Sequence, residues 1–153
     1  MTTPRLAILG VVLMTAFPAI ADDRVPPVTD PVVIKECGSC HMPFQPVFLP
    51  ARSWRALLHG LGDHFGEDAT LPPETVDIIR AYMTANAGDV IGQGAGRKFM
   101  RWVAPNGTPK RITENPVFLK EHNFPESVWK DPKVVTKSNC LACHPAATNG
   151  RFE

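Results

Sequence analysis

The sequence predicts a mainly α-helical, loop-rich molecule of two similar halves with little or no β-sheet, and three observations carry that expectation. Apolar residues recur at helical spacing, most clearly Trp54, Leu57, Leu58, Leu61 and Phe65 at i, i+3, i+4, i+7 and i+11, while no segment alternates convincingly between apolar and polar residues. Sixteen prolines and eleven glycines divide the 153 residues into short pieces. The run Cys-x-x-Cys-His occurs twice, as CGSCH at 37–41 and CLACH at 140–144, each near a helical pattern that bears a further histidine.

Taken in order, the chain opens with a basic Arg5, an apolar-to-neutral run from Leu6 to Phe17 and the small-x-small triplet Ala19-Ile20-Ala21. This reads as a secretory signal peptide over 1–21, because twelve residues of helix span only about 18 Å against a hydrocarbon core of about 30 Å. Cleavage leaves residues 22–153, in which no apolar run is long enough to cross a bilayer. The mature protein is expected to be soluble, periplasmic and without stable membrane insertion. Asp30 followed by Pro31 signals the start of a short helix through Glu36 that delivers the first cysteine pair, and Pro43, Pro46 and Pro50 enforce an extended loop after it. A helix is expected from Ser53 to Phe65, stopped by Gly66, and another from Pro73 to about Ala87, ended by Gly88. Residues 88–109, with Gly92, Gly94, Gly96 and Asn106-Gly107, read as a long connector or short ribbon between an N-terminal half, 22–96, and a C-terminal half, 97–153. Their glycines lack the spacing and the preceding strand of a nucleotide-binding fingerprint. Asn115 caps a helix from Pro116 to about His122, Pro125 stops it, and a helical turn over about 134–139 delivers the second cysteine pair.

Sixteen Lys and Arg against fifteen Asp and Glu, with 44% hydrophobic residues, exclude a disordered polyelectrolyte and argue against a nucleic-acid binder held by counterion release. The near-zero total hides an asymmetry, since residues 22–96 carry 5 basic and 10 acidic side chains and 97–153 carry 10 and 5. Two faces that steer two partners would explain it, and so would scatter on a solvated surface.

Cys-x-x-Cys-His is the pattern of covalent haem attachment. Two sulfurs about a helical turn apart can each add to one vinyl group of the same porphyrin, and the adjoining histidine can supply an iron ligand. Cys37, Cys40, Cys140 and Cys143 are therefore the expected attachment points of two c-type haems, with His41 and His144 as axial ligands. A zinc module would not separate its pairs by the 99 residues between Cys40 and Cys140, a thioredoxin-like pair would need a βαβ setting, and disulfides would leave both histidines unexplained. For the sixth iron ligands, helical phase from Trp54 puts His64 at the border of the buried stripe and His59 on the opposite side. His122 ends the short apolar helix before the second motif. Met42 is too close to His41 to cross a porphyrin, Met83 suits a core position, and Met100 is the thioether alternative. Each distal histidine is paired with the nearer motif because that closes the shorter loop, the crossed pairing remaining open. Trp54, Trp102, Trp129, Phe44, Phe48 and Phe118 read as haem-packing core, and Arg52, Arg55 and Arg111 as candidates to pair with propionates.

The segments LPARSWRALLHGLGDHFGEDA (49–69) after CGSCHMPF, RITENPVFLKEH (111–122) and NCLACHPAA (139–147) together resemble the small exported bacterial diheme cytochromes c, the electron donors to sphaeroides haem protein. The resemblance implies a loop-rich c-type cytochrome fold and bis-histidine haems, with His64 and His122 as the distal ligands. It implies a soluble electron carrier rather than an enzyme, fed by a membrane b-type cytochrome and reducing an oxygen-binding monohaem cytochrome. Two other classes stay in view. A haem enzyme, such as a peroxidase or small-molecule reductase, would need one open iron position, and a non-catalytic electron-transfer subunit would need a larger oxidoreductase.

Overall fold

The computed structural model describes residues 24–152, so the leader expected over 1–21 lies outside the described residues. Seven α-helices and five 3₁₀ turns make up its regular structure: α1 Pro31–Cys37, α2 Ala51–His59, α3 Pro73–Ala85, α4 Gly88–Ile91, α5 Gly94–Met100, α6 Pro116–Glu121 and α7 Glu126–Trp129. Two isolated antiparallel bridges, Arg24 with Arg151 and His64 with Glu67, are the only β pairing among the described residues. None of these helices is long and apolar enough to cross a membrane.

Local chemistry explains where the helices start. Asp30 Oδ1 accepts from the amides of Val32 and Val33 at 2.9 and 3.1 Å, with Pro31 in the first turn of α1. α2 follows Pro50 and has no capping side chain of its own. Asp89 in α4 supplies it, its Oδ1 accepting from Ala51 N at 2.7 Å. The main core joins α1, α2 and α3 through Val33, Leu49, Trp54, Ile79 and Met83, and a smaller cluster gathers Val25, Val47 and Phe48 against Phe99 and Phe152.

Four expectations need correction. The helix predicted over 53–65 ends at His59, because Gly60 takes a non-helical conformation and a 3₁₀ turn over Leu61–Asp63 follows. The glycine-rich stretch after residue 88 is no plain connector. It folds into α4 and α5, with Gly92 in the left-handed conformation (φ 62°) between them. A Cβ on Gly96 would stand 2.7 Å from the Gly88 carbonyl oxygen, so its absence lets the two short helices touch backbone to backbone. Residues 134–139 form turns without a helix, and α6 is already capped at His122, so Pro125 instead precedes and opens the next helix, α7. Trp102 is 45% exposed, with the cations of Arg101 and Lys120 at its ring 5.8 and 4.8 Å from the centroid, so it packs no core.

Side chains and backbone tie the two halves together. Gln45, fully buried, donates from Nε2 to Ala147 O at 2.7 Å. Asn115, also fully buried, caps α6 through Val117 N and donates from Nδ2 to the carbonyls of Phe48 and Phe99 at 3.0 and 3.1 Å. The two ends of the described chain meet where Val25 N donates to Gly150 O at 2.8 Å.

Candidate haem-binding sites

Cys37 closes α1, and His41 follows Cys40 in the exposed turn beyond it. The His41 ring stacks on Phe44 at 4.8 Å between centroids, and its Nδ1 lies 2.7 Å from Met42 O. A carbonyl only accepts, so Nδ1 carries the proton and Nε2 is left with a free lone pair. Facing it at 6.2 Å, with planes 20° apart, is the ring of His64.

His64 reaches this place by a turn and not by helical phase. Its amide donates to Glu67 O at 2.7 Å, and the two intervening residues, Phe65 (φ 64°) and Gly66 (φ 102°), both take positive φ, as in the tightest hairpin turns. Asp63 Oδ1 braces the turn by accepting from Gly66 N at 3.0 Å. Phe65 lies against His64 on one side and under the Arg111 guanidinium, 3.8 Å from the ring centroid, on the other. Burial lowers the His64 pKa below the ordinary 6.5, and the neighbouring His41 and Arg111 push the same way. His59 is exposed, as its phase predicted.

The second site repeats the pattern with different elements. His144 follows the 3₁₀ turn Cys140–Ala142, its amide donating to Cys140 O at 2.8 Å. His122, at the C-terminal end of α6, stands 6.1 Å from it with planes 73° apart. His122 Nδ1 lies 3.1 Å from Phe118 O, which again protonates Nδ1 and exposes Nε2, and the ring stacks on Phe118 at 4.0 Å. Burial is the main cause of its lowered pKa, with His144 adding and the Phe118 carbonyl and Glu121 opposing. Both distal imidazoles are thus biased to the neutral form that a metal requires. A cavity of about 420 Å³ surrounds this pair. Phe48, Phe99, Phe118, Trp129 and Phe152 line it together with Cys140 and Cys143.

The donor set fits two haems. A metal–imidazole bond of about 2.0 Å plus a ring radius of about 1.2 Å, taken twice, sets two imidazoles on one iron about 6.4 Å apart between centroids, close to both spacings here. All four thiols are uncrosslinked. Burial pushes Cys37 and Cys140 above their usual range, with Glu36 adding at Cys37, opposite to the lowered pKa of a redox-active dithiol. Among the described residues no three His, Cys, Asp or Glu side chains gather as a zinc site would require. Met83 is buried in the main core, and Met100 packs against Gly88, outside the cavity lining. Arg52 does not wait for a propionate. It donates to Gly107 O and Ala104 O at 2.6 and 3.0 Å and pairs with Asp89 at 3.7 Å.

Sequence reasoning missed Gln45, the wider role of Asn115, and the closure of the second cavity by Val25 and Phe152 from the two ends of the described chain. Buried polar ties leave no periodic signal, although Asn115 before Pro116 announced its capping role.

A dihaem cytochrome c family profile matches residues 33–152. No protein of curated function matches the sequence significantly. Among solved structures, a diheme cytochrome c from Rhodobacter sphaeroides is 40% identical, with 84% of this chain and 100% of that chain covered and a TM-score of 0.76. A second structure, of the protein purified from Rhodobacter sphaeroides, is 38% identical over 82% of this chain and 99% of its own, with a TM-score of 0.64. A diheme cytochrome of type c from Shewanella baltica is 32% identical over 80% and 86%, also with a TM-score of 0.64. The chain belongs to the dihaem cytochrome c family, a family of electron-transfer proteins, and its cofactors are two c-type haems.

Proposed function

We propose that the protein is a periplasmic electron carrier, exported by the segment 1–21 as its signal peptide, whose two haems are both low-spin and bis-histidine. One is held by Cys37 and Cys40 with His41 and His64 on its iron, the other by Cys140 and Cys143 with His144 and His122. The haem iron supplies a one-electron couple, and the chain's task is to hold it, dry it and block its open positions. The observation that carries the reading is the double one of two imidazole pairs, 6.2 and 6.1 Å apart, each beside its own cysteine pair.

The Met42 and Phe118 carbonyls engage Nδ1 of His41 and His122, which leaves Nε2 of each ring as the nitrogen that would bind iron. Phe44 and Phe118 stack on those rings and limit their rotation. With His41 and His64 holding one iron and His144 and His122 the other, the protein would leave no position for oxygen, peroxide or a small substrate, which favours transfer over catalysis. Histidine in place of methionine also gives low potentials. Such a carrier suits a membrane b-type cytochrome as donor and an oxygen-binding monohaem cytochrome as acceptor.

Low-temperature electron paramagnetic resonance of the oxidised protein tests this. Two low-spin ferric signals of different anisotropy are expected, because the first pair of imidazole planes is near parallel and the second near perpendicular. A high-spin signal from one haem, with carbon monoxide binding to the reduced protein, would instead mark an open iron and an enzyme.

A further inference from the structure

The two attachment motifs share a pattern but not their surroundings. At the first, Gly38 and Ser39 stand between the cysteines, and the adjacent Glu36 pairs with Lys35 at 2.7 Å. At the second, Leu141 stands between the cysteines and is 41% exposed, and the loop before it presents Val135, 78% exposed, between the exposed Lys133 and Lys137.

Val135 is strained as well as exposed. Its φ of 64° lies in the left-handed region, where a β-branched side chain is an outlier. The loop holds it there. Val134 is buried, its carbonyl accepts from Thr136 N at 2.7 Å and from Asn139 Nδ2 at 3.1 Å, and Ser138 N donates to Thr136 Oγ1 at 3.2 Å. An apolar side chain forced outward by a braced loop, with no internal packing to repay the strain, is suited to an intermolecular contact.

We propose that Val135 and Leu141, rimmed by Lys133 and Lys137, form the docking surface for an acidic redox protein at the second haem. This rests on the reading that Cys140 and Cys143 carry that haem, since the surface then lies at the thioether edge of the porphyrin. Charge selects the occupant: residues 97–153 carry 10 basic against 5 acidic side chains, while 22–96 carry 5 against 10. The basic excess of 97–153, with Lys133 and Lys137 at the rim, favours an acidic partner at the second site. An apolar centre inside a charged rim also matches the anatomy of transient interfaces. Lys137 lies over Trp129 at 5.2 Å, and Trp129 is 6.4 Å from His122, so the rim is continuous with the wall of the second cavity.

Flavodoxin, an acidic flavoprotein, serves as the probe, titrated in its oxidised form into ¹⁵N-labelled oxidised holoprotein at low salt. Amide shifts are expected to concentrate in residues 130–143 and to fade as ionic strength rises toward about 0.5 M. The double variant Lys133→Glu/Lys137→Glu is expected to weaken binding by about tenfold or more. Val135→Gly is expected to weaken it by about threefold with unchanged salt dependence and no loss of thermal stability, because glycine relieves the positive φ. Shifts centred on residues 36–41, or binding indifferent to both variants, would overturn the proposal. The low-spin signals of the same samples report the haem reading separately: signals intact with binding unaffected sink the docking surface alone, whereas their absence in the unmutated protein sinks the haem reading.

Discussion

His64 and His122 sit half-buried and lean toward the neutral form, and this has a consequence in acid. An imidazole held below its ordinary value binds its proton in the unfolded chain before it does so in the native one. Its contribution to stability is intact above about pH 6.5 and is lost as pH falls through 6.5 toward the lower native value. Competition from a metal lowers that native value further. The low-spin spectrum of the oxidised holoprotein is therefore expected to persist unchanged through neutrality and to convert to high spin only well below pH 6.5. Conversion centred at or above that pH would contradict the assignment of both residues. At this scale the sequence was most legible where chemistry is local. The two Cys-x-x-Cys-His runs and the isolation of His59 could be read directly. The means by which His64 comes to face His41 could not, because a turn with positive φ at Phe65 leaves no periodic trace and mimics the continuation of a helix.

The helices that sequence reasoning found were those with strong end signals: Asp30-Pro31, Pro72-Pro73 and Asn115-Pro116 each announce a first turn. α4 and α5 were missed because their glycines, read as breakers, serve as contact surfaces. The Gly88–Gly96 approach shapes this corner, with Asp89 reaching from α4 to cap α2 and Met100 lying on Gly88. Gly96→Ala is expected to drive the two helices apart and to lower stability by about 1–3 kcal/mol, the usual cost of overpacking. The measurement is denaturant unfolding of the holoprotein. The same change at Gly66 meets open space but a φ of 102°, so any loss there comes from backbone strain and should appear at the His64 turn alone.

Across the whole molecule, the halves suggested by charge and motif are interlocked. Gln45 from the first reaches Ala147 in the second, and Asn115 binds a carbonyl from the first half and another from α5. Phe152 packs edge-on against Phe48 at 5.2 Å and lies 5.5 Å from His144. Phe152→Ala is expected to lower stability by about 2–4 kcal/mol and to broaden the second low-spin signal while leaving the first unchanged. Equal perturbation of both signals would show that the two sites respond as one cooperative unit. Such long-range ties were invisible beforehand, since no local pattern in the chain says which loop a buried amide will meet.

The meeting of Val25 with Gly150 also orders events in time. A chain that emerges amino end first presents its first cysteine pair about a hundred residues before its second, together with α1, α2 and the His64 turn that surround it. The second cavity takes walls from both Val25 and Phe152, so it cannot close until Phe152 has been made and has met the segment around Val25. Closure of the second cavity is accordingly a late event, dependent on segments from both ends of the described chain.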